Sequence, residues 1–458
     1  MRSVKIAFVL IVLCCTLPLA LLVRRYEILT RIFWISFGAA AFFMTSIPLL
    51  DIGVINAPDG WVGFVYGIEI SIVDYLAVVA FFILPRHRTS WLFFLPFVVF
   101  TAVAATSVPN AANPTVASFG VWQFAKMAFV AAIVARACAF EEVPYLLLRG
   151  MALGIMAQLV ASLWQRFGLG YAQAPGLFLH QNTLGMIAHF VLYPFLYMLL
   201  TQSRGTIWNG LIILTVLCCM LLTASRGAVG FTVIGIALTF LIVALTGLTN
   251  RIMAAAALAG IAALALAPAT YLVFEKRFES AALSEDVYDE RAAFNRAADL
   301  IRDDFPAGVG FNHYTYTLKR YNYSQLAGVH QNEGNINNIV HDVYRLIGVE
   351  TGRAGLLSFY ALLAVPLVTA FFVGWRRRSM PDGGLLLGFG TAMLIAYLHS
   401  LFEWIFLIKQ VQIVFAIVVG MTFGIASRRY ADETSIHQRV ASENPVATFT
   451  FKAGALSK

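Results

Sequence analysis

Three side chains that could bind a ligand or transfer a proton lie beside long apolar segments of this chain. Arg226 stands in a short turn between two such segments, Arg291 lies in a polar stretch at 275–353, and His341 stands just before the next apolar segment. A guanidinium keeps its charge and suits phosphate oxygens, whereas an imidazole exchanges a proton near neutral pH. The three residues predict a site that binds an anion and moves a proton.

Each of these residues could also have a purely structural role. An arginine at the end of a membrane helix commonly extends its charge to the interface, and a histidine there is often a polar cap. Arg291, which follows Asp289 and Glu290, suits a solvated helix start. Other candidates in the same stretch are Arg296, Arg302, His313 and His330.

The composition sets the environment of these residues. Of the 458 residues 60% are hydrophobic and 12% are charged, whereas soluble domains average about 25% charged residues. The apolar runs are about 18–24 residues long and continuous, as a helix that crosses a bilayer requires. We therefore expect an all-α, polytopic membrane protein with 12 to 13 transmembrane helices.

Thirteen apolar runs are candidate spans. The first resembles a signal peptide but lacks a convincing cleavage site before Arg24, so we expect a retained helix. The runs cover residues 5–23, 31–50, 66–84, 90–107, 121–138, 145–166, 181–201, 207–223, 228–247, 252–273, 355–374, 383–401 and 410–427.

Basic residues fall on alternate loops and predict which side is cytoplasmic. They are Arg24, Arg25, Arg86, Arg88, Arg204, Arg251, Arg376, Arg377, Arg378, Arg428 and Arg429. The excess of basic residues in the whole chain, +8, has this topological explanation, and nothing in the pattern indicates a nucleic-acid partner. The other loops, including 275–353, are expected on the outer side.

Four regions follow from this arrangement. Residues 1–274 would hold the first ten transmembrane helices, 275–353 a long periplasmic loop, 354–428 the last three helices and 429–458 a disordered cytoplasmic tail. The loop is predicted to be partly helical, at about 288–303 and 337–350, and a loop of this length with its own structure is usually functional.

The five cysteines predict neither metal binding nor a disulfide framework. None lies in the long loop, and two adjacent pairs with a singleton fit no zinc spacing. They are Cys14, Cys15, Cys138, Cys218 and Cys219.

Three local patterns occur in a characteristic order. The first is TASRGA at 223–228, the second is Arg291 followed by PAGVGF at 306–311, and the third is HDVY at 341–344 with ETGRAGL at 350–356. This set resembles the bacterial O-antigen ligase and polysaccharide polymerase superfamily. The resemblance implies a GT-C-like fold in the bacterial inner membrane, with the active site facing the periplasm.

The resemblance also implies an activity. Members transfer a glycan from an undecaprenyl-diphosphate-linked oligosaccharide to an acceptor sugar, without a metal ion or other cofactor. A stretch at 175–182, PGLFLHQN, resembles polymerase-like members and favours a polysaccharide polymerase. An O-antigen ligase with lipid A-core as its acceptor, and a protein O-glycosyltransferase, share this donor chemistry. Other polysaccharide assembly proteins are conceivable partners besides the bilayer.

The motifs assign expected roles. Arg226 and Arg291 would hold the diphosphate, and His341 would take the proton of the acceptor hydroxyl. Further substrate contacts are expected from Lys126, His180, Asn182, Ser225, Gly310, Glu350 and Arg353. Glu350 would lie about 13 Å along a helix from His341, so we expect it to tie the loop to an arginine such as Arg353.

Two other classes of function predict a different distribution of charged residues. A flippase or transporter for polyprenyl-linked glycans would concentrate charge at mid-membrane in broken helices. A passive scaffold in an assembly complex would need none of the three residues. The position of the charged residues in an external loop favours the enzyme.

Overall fold

The fold is known from a computed structural model that describes residues 14–85, 90–202, 205–247, 249–257, 260, 268, 285–331, 333–336 and 338–428. Its helices are α1 (Thr16–Arg25), α2 (Glu27–Ala40), α3 (Ile72–Ile83), α4 (Leu95–Thr106), α5 (Pro114–Ala137), α6 (Glu142–Leu163), α7 (Gln181–Thr201), α8 (Thr206–Thr223), α9 (Arg226–Thr246), α10 (Glu285–Asp304), α11 (Tyr314–Arg320), α12 (Tyr323–Leu326), α13 (Glu333–Ile336), α14 (Val343–Arg376), α15 (Pro381–His399) and α16 (Lys409–Ala426).

Nine helices in the described part of the chain are long and apolar enough to cross a membrane. They are α4 with its flanking turns (Trp91–Asn110), α5, α6 with the turn that extends it to Gly168, α7, α8, α9, α14, α15 and α16. The expectation of an all-α polytopic membrane protein is confirmed. Residues 5–13 of the first expected span, most of the expected span 252–273 and the tail 429–458 lie outside the described residues.

Two expected spans differ from the observed structure. The helix expected at 31–50 ends at Ala40, and the one expected at 66–84 begins as a strand. Strands β1 (Asp51–Asn56) and β2 (Gly67–Ser71) form an antiparallel hairpin. β-Branched residues alternate with Gly53 and Glu69 here, a period of two that suits a strand better than a helix.

Three helices form the centre of the bundle. α7, α15 and α16 are buried along most of their length. Close approach depends on small residues: a Cβ at Gly388 of α15 would lie 2.8 Å from the Cα of Pro194 in α7. Without a hydrophobic driving force between helices in lipid, such tight packing is a main source of association.

The two ends of the bundle differ in charge. At one end, called the basic end, Arg428 contacts Asp382 and Arg377 donates to the carbonyl of Ile425. Arg136 reaches the carbonyls of Leu84 and Pro85 there. At the opposite end, called the site end, α9 and α14 begin and α15 ends. Helices α10 and α11 contact α14 there, and α12 packs on α10 and α11.

Candidate active site

A single carboxylate connects the residues that meet at the site end. Glu403 lies in the turn between α15 and α16, and its side chain is 9% exposed. Its Oε2 lies 3.3 Å from Nδ1 of His341, and its Oε1 accepts a 2.7 Å hydrogen bond from the amide of Asn182. The guanidinium of Arg291 lies 3.9 Å from the same Oε1. Three predicted site residues therefore share one partner.

The charge of Glu403 follows from these neighbours. Burial acts to raise the pKa of Glu403, but the hydrogen bond from His341 and the positive charge of Arg291 outweigh burial, so the pKa lies below its ordinary value. A carboxylate with a lowered pKa stays ionised at neutral pH and loses its charge only as the pH falls through that lowered value.

The ionised carboxylate also decides the tautomer of His341. A carboxylate without a proton only accepts hydrogen bonds, so Nδ1 of His341 carries the proton and donates it to Glu403. The other ring nitrogen, Nε2, then has a free lone pair and is the basic atom. An imidazole held in this way is arranged to take a proton.

Helix ends position His341. Asp342 caps α14 by accepting from the backbone amides of Tyr344 and Arg345, so it does not orient the imidazole. The amide of Val343 donates to the carbonyl of Ser400. This bond joins the start of α14 to the end of α15 and brings His341 to Glu403.

Arg291 reaches the site from α10, which packs on α14. Arg345 of α14 forms an ion pair with Asp299 of α10, and the ring of Phe294 lies 6.2 Å from that of His341. The side chain of Arg291 is 49% exposed, so it keeps a surface open to a ligand beyond Glu403. The alternative arginines have other partners: Arg296 donates to the carbonyl of Ala327, and Arg302 pairs with Asp299.

Arg226 begins α9 at the same end of the bundle. Ala224 adopts a left-handed conformation with φ of 47°, which turns the chain sharply after α8. Ser225 caps α9 through the amide of Ala228, 3.3 Å away, and is buried, so its hydroxyl is used by the fold. A Cβ at Gly227 would lie 3.0 Å from Nε2 of His399, four residues before Glu403. Arg226 itself is exposed.

Two buried histidines lie beneath this turn. His189 of α7 and His399 of α15 have ring centroids 5.5 Å apart, and His399 also packs against Phe231 of α9. None of their four ring nitrogens has a hydrogen-bond partner among the described residues. The pair fills the space between three helices next to the site.

The PAGVGF and ETGRAG motifs form one packing unit. The amides of Val309 and Gly310 donate to the carbonyls of Val349 and Glu350, both at 3.0 Å. α14 breaks at Gly352, which has φ of 72° and ψ of −174°. The backbone amide of Gly310 is thus hydrogen-bonded within the fold, whereas we expected Gly310 to contact substrate.

Glu350 has a different partner from the one expected. Its Oε1 accepts a 3.0 Å hydrogen bond from the amide of Tyr314, at the start of α11, and the residue is fully buried. It ties the loop to backbone amides and not to an arginine, because the break at Gly352 turns the following helix away. Arg353 is exposed.

Lys126 also departs from its expected role. Its ammonium lies 2.8 Å from Asp74 and 2.9 Å from the carbonyl of Glu69, with 13% of the side chain exposed. A lysine inside a span needs a partner, and here the hairpin and α3 supply it. Lys126 therefore supports the packing of the hairpin, and Lys409 does the same by pairing with Asp51 and Glu69.

The stretch 175–182 contributes one of its two predicted residues directly. Asn182 binds Glu403, whereas Nδ1 of His180 accepts from the amide of Asn182 and caps α7. His180 is exposed at the site end. His313 is buried between the carbonyl of Phe311 and the amide of Asn113, and His330 is exposed.

Within the described ranges, no group of three or more His, Cys, Asp or Glu side chains is arranged to hold a metal ion. Sequence reasoning missed Glu403 as the partner of His341. The available signal was a carboxylate directly after an apolar span on the predicted outer side, a placement that is costly unless the charge is paired.

The fold and the site define a polytopic membrane protein in which ionisable groups converge at one end of the helix bundle. The O-antigen ligase family matches residues 211–360, from within α8 to within α14, and this range holds Arg226, Arg291 and His341. This match covers about a third of the chain and supports the resemblance to the O-antigen ligase and polymerase superfamily that the motifs predicted, together with a role of this type in polysaccharide assembly. A comparison with curated proteins finds no match.

Proposed function

We propose that this protein is a polysaccharide polymerase that transfers a glycan from an undecaprenyl-diphosphate carrier to a sugar hydroxyl. The observation that carries the proposal is the contact of His341 and Arg291 with one buried carboxylate, Glu403. This arrangement puts a base with a fixed tautomer next to a permanent cation. The family match supports the class of reaction.

The proposed step uses each residue once. The acceptor oxygen attacks the anomeric carbon of the donor sugar and inverts it, while the bond from that carbon to the diphosphate oxygen breaks. Nε2 of His341 takes the hydroxyl proton, and the polyprenyl diphosphate leaves with the bonding electrons. Arg226 and Arg291 stabilise its charge, which is the kind of term that dominates many enzymatic rate enhancements.

The acceptor separates two candidate functions. The resemblance of the stretch at 175–182 to polymerase-like members favours a growing polysaccharide as acceptor, whereas the matched family is named for O-antigen ligases, whose acceptor would be lipid A-core. Both use the same donor chemistry, and both place the reaction on the periplasmic side of the inner membrane.

Glycan profiling tests the proposal. A deletion strain is complemented with the wild type or with Arg226→Ala, Arg291→Ala or His341→Ala, with protein amounts in the membrane matched. Because a general base contributes about 10²–10⁴-fold, His341→Ala should abolish visible product. Single repeat units that no longer extend indicate a polymerase, and long chains that fail to reach lipid A-core indicate a ligase.

Arg302→Ala is the matched control for the arginine variants. It removes a guanidinium from the same helix as Arg291, where it pairs with Asp299 away from Glu403, and should leave the glycan profile unchanged. Normal glycans with all three site variants would refute the catalytic assignment and favour a scaffold or a transporter.

A further inference from the structure

A cavity lies between the loop of the hairpin and α11, and none of the residues that contact Glu403 lines it. Its volume is about 450 Å³, and it is open to solvent. The loop of the hairpin forms one wall and α11 forms the other. The lining residues are Pro58, Asp59, Gly60, Trp61, Val62, Tyr316, Lys319 and Arg320.

The cavity has a rigid aromatic wall. Trp61 stacks on Tyr316 with ring centroids 5.7 Å apart and planes 13° from parallel, and its edge packs on His313 at 4.8 Å. His313 is fixed by two backbone hydrogen bonds. Flat aromatic carbon surface beside a few polar groups is typical of sites that bind amphipathic small molecules, and the ring faces of sugars have this character.

The hairpin loop is held in place against the site region. The side chain of Asn312 accepts from the amides of Phe64 and Val65 and donates to the carbonyl of Val65, at 2.7–3.0 Å. A side chain at Gly63 would overlap Trp61 and Asn312. Since Asn312 directly precedes His313 and lies two residues before Tyr314, which binds Glu350, both walls belong to one ordered unit.

The charge of the cavity indicates the sign of its ligand. Lys319 and Arg320 are exposed at one side, and Asp59 is the only acidic residue among the lining residues. A guanidinium fork and an ammonium recognise carboxylates by charge-assisted hydrogen bonds. An aromatic platform combined with a net positive rim fits a sugar chain that carries carboxylate groups.

We propose that this cavity is a secondary glycan-binding subsite that holds an acidic oligosaccharide segment at a distance from the reacting bond. The choice of a glycan rests on the proposed function, because the subsite lies at the same end of the bundle as His341 and would hold the growing chain or the acceptor. Its occupancy would favour repeated extension by keeping the glycan near the site between transfers.

Direct binding tests this inference on the purified full chain in lipid nanodiscs. The probes are tetragalacturonate as an acidic oligosaccharide, maltotetraose as a neutral one and inorganic phosphate as a bare anion, measured by isothermal titration calorimetry. The wild type should bind tetragalacturonate more tightly than either of the other probes. The double variant Lys319→Ala/Arg320→Ala should weaken that binding by about tenfold or more, since two charge-assisted contacts are lost.

Arg378→Ala is the matched control. Arg378 is an exposed arginine over the ring of Trp375, 5.2 Å away, but at the basic end. It should not change the affinity for tetragalacturonate. Trp61→Phe, a second variant that keeps an aromatic ring in the wall, should weaken binding to a smaller extent without loss of folded protein.

The outcomes separate this inference from the proposed function. Equal affinity for maltotetraose or phosphate, or unchanged affinity in the double variant, would overturn the subsite. In cells, Lys319→Ala/Arg320→Ala should shorten the polysaccharide and His341→Ala should abolish it, while His341→Ala should still bind tetragalacturonate. Normal glycans from His341→Ala together with intact tetragalacturonate binding would support the subsite and refute the proposed polymerase function.

Discussion

At the scale of single residues, Glu403 contacts both the proposed base and a proposed diphosphate-binding arginine. It accepts from His341 and Asn182 and lies within ion-pair distance of Arg291. A buried carboxylate that loses its charge leaves its partners without compensation. A substitution there should therefore affect the tautomer of the base and the orientation of the cation together.

We predict that Glu403→Gln lowers the rate of glycan transfer by about 10–100-fold, less than His341→Ala, because positioning contributes less than the base itself. In the double variant His341→Ala/Glu403→Gln the loss should be smaller than the sum of the two single losses, since Glu403 acts in part through His341. Product formation in isolated membranes measures both effects. Asp382→Asn, which breaks a buried ion pair with Arg428 at the basic end, is the control, and a fully additive double variant would contradict a positioning role.

The sequence could predict His341 and Arg291 as site residues, but it could not predict that both contact Glu403. His341 and Glu403 are 62 residues apart in the chain, and no local spacing connects them. The carboxylates nearer in the chain have other partners: Asp342 accepts from the backbone amides that begin α14, and Glu350 accepts from the amide of Tyr314. Pairing across helices depends on which ends are adjacent, and periodicity does not reveal this.

At the scale of elements, two glycine-rich motifs determine how the loop meets α14. Gly308 and Gly352 both have positive φ, 88° and 72°, and each faces the backbone of the other motif. A Cβ at Gly352 would lie 2.8 Å from the carbonyl carbon of Ala307. The break in α14 is therefore possible only where a side chain is absent.

Gly352→Ala should destabilise the protein and reduce transfer. The backbone conformation of Gly352, φ of 72° with ψ of −174°, is used essentially by glycine alone and costs about 1–3 kcal/mol for an L-residue, and contact with Ala307 adds to it. The measurement is the unfolding temperature in detergent, together with the glycan profile. Gly348→Ala, four residues earlier in the helical part of α14 and in ordinary contact with Leu356 at 3.5 Å, should leave both unchanged; equal effects of the two variants would argue against the packing unit.

The hairpin is a part of the fold that hydropathy did not predict. Hydropathy predicted spans at 31–50 and 66–84, yet β1 and β2 occupy the middle of this region. Their acidic residues Asp51 and Glu69 pair with Lys409 at the start of α16. These ion pairs hold the hairpin against α16, and its short period-of-two pattern is lost in hydropathy taken over a whole span, whereas the nine long spans follow from length and apolarity alone.

At the scale of the whole molecule, the two ends of the bundle determine where the chemistry would occur. Arg377 and Arg428, two of the arginines that the loop pattern assigned to the cytoplasm, lie together at the basic end. The site residues lie at the other end. The charge rule predicts that the site end faces outward, and under the proposed function the lipid-linked donor would be presented there before transfer.

Cysteine accessibility gives the last prediction. In a chain whose five native cysteines are replaced, Leu179→Cys lies at the site end beside His180, where Leu179 is 89% exposed, and Met380→Cys lies at the basic end, where Met380 is 41% exposed. A membrane-impermeant maleimide should label Leu179→Cys in intact spheroplasts and Met380→Cys only after permeabilisation, because a charged reagent does not cross the bilayer. Equal labelling after permeabilisation controls for reactivity. The reverse pattern would place His341 and Glu403 in the cytoplasm and exclude a donor at the outer leaflet.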